Sequence, residues 1–92
     1  MDSPNSANYD PLKAPDFKQL EAEAADREGF VLILVEDLTN RVTSALEKDP
    51  SGEKAPPRHL YLEELKPDEI EEFKRQVTMD LLMLGVNLEI WE

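Results

Sequence analysis

The stretch that decides the fold is Gly29-Phe30-Val31-Leu32-Ile33-Leu34-Val35, in which six apolar residues follow a glycine. Taken alone, it is typical of a short buried strand, because it combines an aromatic residue with β-branched residues and begins after a glycine. The residues that follow favour a helix instead, because their apolar positions are spaced three and four apart. These positions are Val31, Val35, Leu38, Val42 and Ala45.

The helical phase also continues upstream of this stretch, through Phe17, Leu20 and Ala24. A strand inserted at 30–35 would have no reason to preserve that phase, and Asp16 is a good N-cap for a helix that starts beside it. The sequence therefore predicts a long first helix over about 16–48. Because glycine weakens a helix interior, a kink or a break near Gly29 is the alternative to one continuous helix.

A second helix is predicted over 67–84. Pro67 suits the first helical position, acidic residues follow it, and Gly85 suits a left-handed turn at the carboxyl end. Beyond it, apolar and polar residues alternate, which predicts a short C-terminal β-strand over 86–91. Such a strand needs a pairing partner, and the candidates are 58–62, the stretch 29–35 or another molecule. The segment 59–65 is itself compatible with either an extended segment or a turn of helix.

The fold class predicted from these patterns is mainly α, in one small domain. Residues 1–15 contain three prolines among Ser, Asn and Asp, which is typical of a flexible, disordered N-terminal tail. The remaining residues 16–92 form the predicted helical domain, with a proline-rich loop at 49–58. Ninety-two residues allow one domain only.

Charge restricts the classes of partner. Twenty-one acidic residues face ten basic ones, for a formal net charge of −11. Such a surface repels nucleic-acid phosphates and anionic lipids, so we expect no direct nucleic-acid or membrane binding and favour a partner protein with a basic surface. There is no cysteine, no apolar run long enough for a membrane span and no pattern of a signal peptide, so we expect a soluble, cytoplasmic protein.

Residues that would support catalysis are scarce. The three glycines are far apart, which excludes a glycine-rich phosphate loop, and His59 is the single histidine. The adjacent acid pairs, such as Glu71-Glu72, point about 100° apart on a helix and do not converge. We therefore expect no enzymatic activity, no cofactor and no metal site.

Two features are candidates for binding another protein. The first long helix is apolar on nearly all sides around Leu34, and the excess could pack in the core of this chain or across an interface. Trp91, near the C-terminus, is of a residue type enriched at interfaces, although a terminal Trp also commonly caps a core. The predicted protein-binding residues are Val31, Leu34, Val35, Leu38 and Trp91.

These observations predict a non-catalytic protein-protein interaction module: an adaptor, an assembly factor or an inhibitor that docks an apolar helix face on a partner. A homodimer is one form that such docking could take. The alternative function is an acidic nucleic-acid mimic that blocks a DNA- or RNA-binding protein, which predicts carboxylates clustered on one face.

Overall fold

The structure is a computed structural model that describes residues 10–86 of the chain. Over these residues the chain is mainly helical, as predicted, and contains no strand. The four helices in this range are α1 (Phe17–Glu23), α2 (Arg27–Lys48), α3 (Arg58–Glu63) and α4 (Pro67–Met83).

The stretch 29–35 lies within α2, so the helical interpretation of its phase is confirmed. Most of its apolar side chains are buried, because α2 has neighbours on several sides. The core around α2 includes Tyr61 from α3 and side chains from α4, with Phe17 of α1 packed against it. Ile33 is half-buried, and Leu32 is exposed over 53 % of its surface.

The predicted first helix over 16–48 is divided in two, and the break lies at 24–26 instead of at Gly29. Ala24 has an extended backbone, with φ −84° and ψ 142°. Asp26 then starts α2 as its N-cap, because its carboxylate accepts the Gly29 N–H at 2.8 Å. Gly29 therefore lies in the first turn of α2. A second helix begins at this point because the Asp26 side chain caps it.

Helices α2 and α4 run in the same direction. At their amino ends, Arg27 and Glu69 form an ion pair of 2.7 Å, and further along, Asn40 and Met83 line one depression. The chain must therefore return between the two helices, and residues 49–66, which include α3, make that return. The parallel arrangement leaves a groove between α2 and α4.

Helix α3 places Tyr61 in the core. Its ring packs edge to face against Phe17, at 5.2 Å between centroids, and stacks near Phe73, at 6.1 Å. Its hydroxyl donates to the Asp37 carboxylate at 2.6 Å. Because 58–63 and 29–35 are both helical, neither is available to pair with the predicted C-terminal strand.

The carboxyl end of α4 is closed by a Schellman motif, which confirms the predicted role of Gly85. Gly85 has φ +86° and donates its N–H to the Leu82 carbonyl, while the Val86 N–H donates to the Leu81 carbonyl. Val86 then packs against the core. Apart from Val86, the predicted strand over 86–91 lies outside the described residues.

Residues 10–15 lie against α2. The Arg41 guanidinium donates to the carbonyl oxygens of Asp10, at 3.0 Å, and Lys13, at 2.7 Å. It also bonds to the Asp37 carboxylate at 2.8 Å. The division into a tail 1–15 and a domain 16–92 stays a prediction, since residues 1–9 lie outside the described range.

Candidate protein-binding groove

The side chains of α2 that we predicted to bind a partner lie in the core of this chain. Leu34 and Leu38 are fully buried, and Val31 and Val35 are nearly so. Val31 also lines the depression beside Glu28 and Leu32, with 5 % of its surface exposed. A binding role for Leu34, Val35 and Leu38 would require the core to open. Trp91, the fifth predicted residue, lies outside the described residues. The accessible apolar surface is therefore elsewhere.

Most of that surface is at the apolar end of α4, which we define as Met79, Leu82, Met83 and Leu84. Each of these side chains is at least half exposed, and Met83 is 83 % exposed. The sequence contained a pattern that could have revealed this site. The run 79–84 is apolar at five of six positions, so it surrounds the helix, and a single core face can cover only part of it.

A further exposed apolar side chain, Leu32, lies on the face of the α2–α4 pair that Met83 and Leu84 line. Two depressions lie between α2 and α4, one lined by residues within 28–32 and 68–72 and the other by residues within 36–40 and 80–84. On α2 their lining residues recur every four positions, which places them on one face. We call the resulting feature the acidic groove. Its walls are formed by Glu28, Leu32, Glu36 and Asn40 of α2 and by Asp68, Glu72, Asp80, Met83 and Leu84 of α4.

The walls of the groove carry carboxylates that are not neutralised within the described chain. Glu28, Glu36, Asp68 and Asp80 form no ion pair with any described residue. Glu72 differs, because hydrogen bonds from Gln76 and Arg75 lower its pKa. The groove therefore has a negative potential beside exposed apolar side chains.

One further carboxylate in this region, that of Glu69, has a structural role. It accepts hydrogen bonds from Arg27 Nη2 at 2.7 Å and Arg27 Nε at 3.2 Å, and from the Lys66 N–H at 2.9 Å. The Arg27 guanidinium, followed by the Lys66 N–H, lowers the pKa of Glu69 from 4.5 to about 2. Arg27 also lies over the Phe30 ring, 5.0 Å from its centroid. This pair holds the amino ends of α2 and α4 together.

Thr39 lines the groove beside Met83 and contains an unsatisfied polar group. The residue is 5 % exposed, and its Oγ1 has no hydrogen-bond partner among the described residues. Buried hydroxyls are normally hydrogen-bonded, so this unpaired oxygen, which is itself buried and not open to the groove, reduces the stability of the folded chain.

Other chemistry-bearing groups do not converge on this groove. His59 is exposed on α3, and Asp37 is engaged by Tyr61 and Arg41 in holding α3 and residues 10–13 on α2. Within 10–86, no group of three or more His, Asp and Glu side chains is arranged to hold a metal ion. No helix in that range is both long and apolar enough to cross a membrane.

Comparisons of the chain with protein-family models, with curated proteins and with solved structures found no match. Function is therefore argued from the groove itself.

Proposed function

We propose that this protein is a non-catalytic protein-protein interaction module, an adaptor, assembly factor or inhibitor, that docks on its partner through the apolar end of α4 and the adjoining acidic groove. The observation that carries the proposal is the exposure of Met83 together with its three apolar neighbours on α4. Burying the exposed half of one such side chain gains about 1 kcal/mol, so Met83 and Leu84, which both line the groove, favour association by about 2 kcal/mol before the entropic cost of binding.

The partner in this proposal is another protein with a basic surface. Carboxylates lie beside the apolar side chains on both walls of the groove, and complementary charge steers and orients association. A homodimer would bring two chains of formal charge −11 together, which makes it the less favourable of the two arrangements. A cytoplasmic location is part of the proposal, because a chain without cysteine suits a reducing compartment.

The proposed absence of catalysis rests on the residues in the sequence. The chain has no cysteine, and its single histidine, His59, forms no hydrogen bond with a serine or threonine among the described residues, so no nucleophile and base pair is assembled there. The carboxylates of the groove lie on the walls of an open depression beside apolar side chains, an environment suited to docking.

A nucleic-acid mimic is the second candidate function, and one observation favours it. Glu28 and Glu36 of α2 lie along the same groove as Asp68 and Asp80 of α4, so carboxylates are grouped on one face. The two candidates differ in what the apolar residues contribute. Docking requires Leu82 and Met83, whereas mimicry requires only the carboxylates.

The test is site-specific photo-crosslinking in a native lysate, with a photoreactive residue at Met83 and, as the matched control, at exposed Lys18 on α1. We expect a defined protein to crosslink from Met83 and not from Lys18. The same set of proteins from both positions would refute docking at this surface.

Two sets of variants then separate the candidate functions. Leu82→Ser with Met83→Ser should abolish the crosslink from a neighbouring groove position if docking is right. If mimicry is right, Glu28→Gln with Asp68→Asn should abolish that crosslink, and the serine variants should retain it. All four side chains are exposed, so we expect each change to alter the free energy of unfolding by no more than about 0.5 kcal/mol.

A further inference from the structure

We propose that the acidic groove binds an amphipathic helix of the partner, one whose apolar stripe is flanked on both sides by lysine or arginine. The inference rests on the proposed function and specifies the chemistry of the partner. It is argued from the shape of the groove, the positions of its apolar side chains and its charges.

The shape of the groove suits a helix. Its walls are two helices that run in the same direction, and two separate depressions lie along them, which together extend from residue 28 to residue 40 of α2. At a rise of about 1.5 Å per residue this length is about 18 Å, which matches three turns of a bound helix. Amphipathic helices commonly bind in grooves of this kind, with their apolar residues directed inward.

The positions of the apolar side chains in the groove predict the spacing of the apolar residues of the partner helix that would contact them. Leu32 lies near the amino end of the groove, and Met83 lies near the other end, beside Thr39. Leu32 and Thr39 are seven residues apart on α2, so these two levels are separated by about 10.5 Å. Apolar residues at positions i and i+7 of a partner helix have the same separation.

The charges of the groove indicate which residues should flank the apolar stripe of the partner helix. Glu28 of α2 and Asp68 of α4 lie on opposite walls around Leu32. Glu36 and Asp80 lie in the same way around Met83. Each apolar anchor of the partner would therefore have a carboxylate on either side, which favours basic residues on both flanks of its apolar stripe.

A second copy of this chain does not fit the same requirement. Its formal charge is −11, and like charges across an interface oppose binding.

The experiment is a selection from a display library of 18-residue helical peptides on the full chain, followed by affinity measurement with the purified peptides. We expect the enriched peptides to carry apolar residues at i and i+7 and a net positive charge. We expect the double variant Glu36→Lys with Asp80→Lys to weaken their binding at least tenfold. The matched control is Glu23→Lys with Glu63→Lys, which changes the net charge equally on exposed positions outside the groove and should alter affinity less than twofold.

Several results would overturn the proposal: no peptide that binds the groove, enrichment without a basic excess, or an equal effect of the two double variants. Circular dichroism of each variant shows whether the fold is retained, and Leu32→Ser provides an uncharged second test, with at least a fivefold loss expected. If peptide binding fails while Met83 still crosslinks to a defined protein, the helix proposal is refuted and the proposed function stands. If both fail, both are refuted.

Discussion

Replacing Glu69 with glutamine tests whether its ion pair with Arg27 stabilises the parallel arrangement of α2 and α4. Glutamine keeps the size of the side chain and an oxygen that can accept the Lys66 N–H, so the change removes mainly the charge. A pKa lowered from 4.5 to about 2 corresponds to an upper limit of about 3 kcal/mol. Because the Arg27 side chain is 39 % exposed, water screens the pair, and we expect a loss of about 1–2 kcal/mol.

The effect should depend on pH in a definite direction. The pKa of Glu69 is lower in the folded state, so its contribution is fully present above about pH 4.5 and is lost as the pH falls towards 2. The difference in free energy of unfolding between wild type and Glu69→Gln should therefore shrink to less than half of its pH 7 value at about pH 3.

Glu72→Gln is the matched control, since Glu72 is also a carboxylate of α4 that is bonded to an arginine. Both side chains of that pair are well exposed, so its loss should not measurably alter the transition. The assay is urea unfolding followed by circular dichroism at pH 7 and pH 3. Equal effects of the two substitutions, or a Glu69→Gln effect that stays constant with pH, would show that the pair does not stabilise the fold as reasoned.

Three further substitutions test other contacts by the same unfolding assay. Tyr61→Phe removes the hydroxyl that donates to Asp37 and should cost about 1.5 kcal/mol, and an unchanged midpoint would mean that this buried hydrogen bond contributes nothing. Gly85→Ala should cost about 1–2 kcal/mol through its positive φ alone, because an added Cβ meets no atom within 4 Å, and a stabilised variant would contradict the Schellman geometry. Thr39→Val should stabilise the free chain by about 1 kcal/mol, because it removes an unpaired buried hydroxyl, and a destabilised variant would indicate that the hydroxyl is paired.

Local patterns predicted the helices more accurately than their boundaries. The phase of the apolar residues on either side of 29–35 correctly predicted a helix, because a stripe that must face one core is visible in the sequence alone. A break was predicted near Gly29 and lies at 24–26, because Asp26, which is compatible with either an exposed helical position or an N-cap, caps α2. Its role depends on where α1 and α2 pack, and that packing is not a local property.

The candidate site was harder to predict for the same reason. Leu32 and Leu34 are equally apolar in sequence, yet one lies in the groove and the other is fully buried. Which of them is covered depends on the direction from which α4 approaches α2. The exposure of four apolar residues at the end of α4 could have been suspected from their number, but the sequence did not show that Met83 and Leu84 line a groove against α2.

The sequence by itself determined the helical class, the acidic charge and the glycine that closes α4, because these follow from local periodicity, composition and backbone freedom. Only the tertiary structure decided that α2 and α4 lie parallel, that the predicted binding stripe is core, and that carboxylates from two helices flank Leu32 and Met83. Those facts depend on contacts between residues distant in sequence, such as Arg27 with Glu69, whose pairing no local pattern specifies.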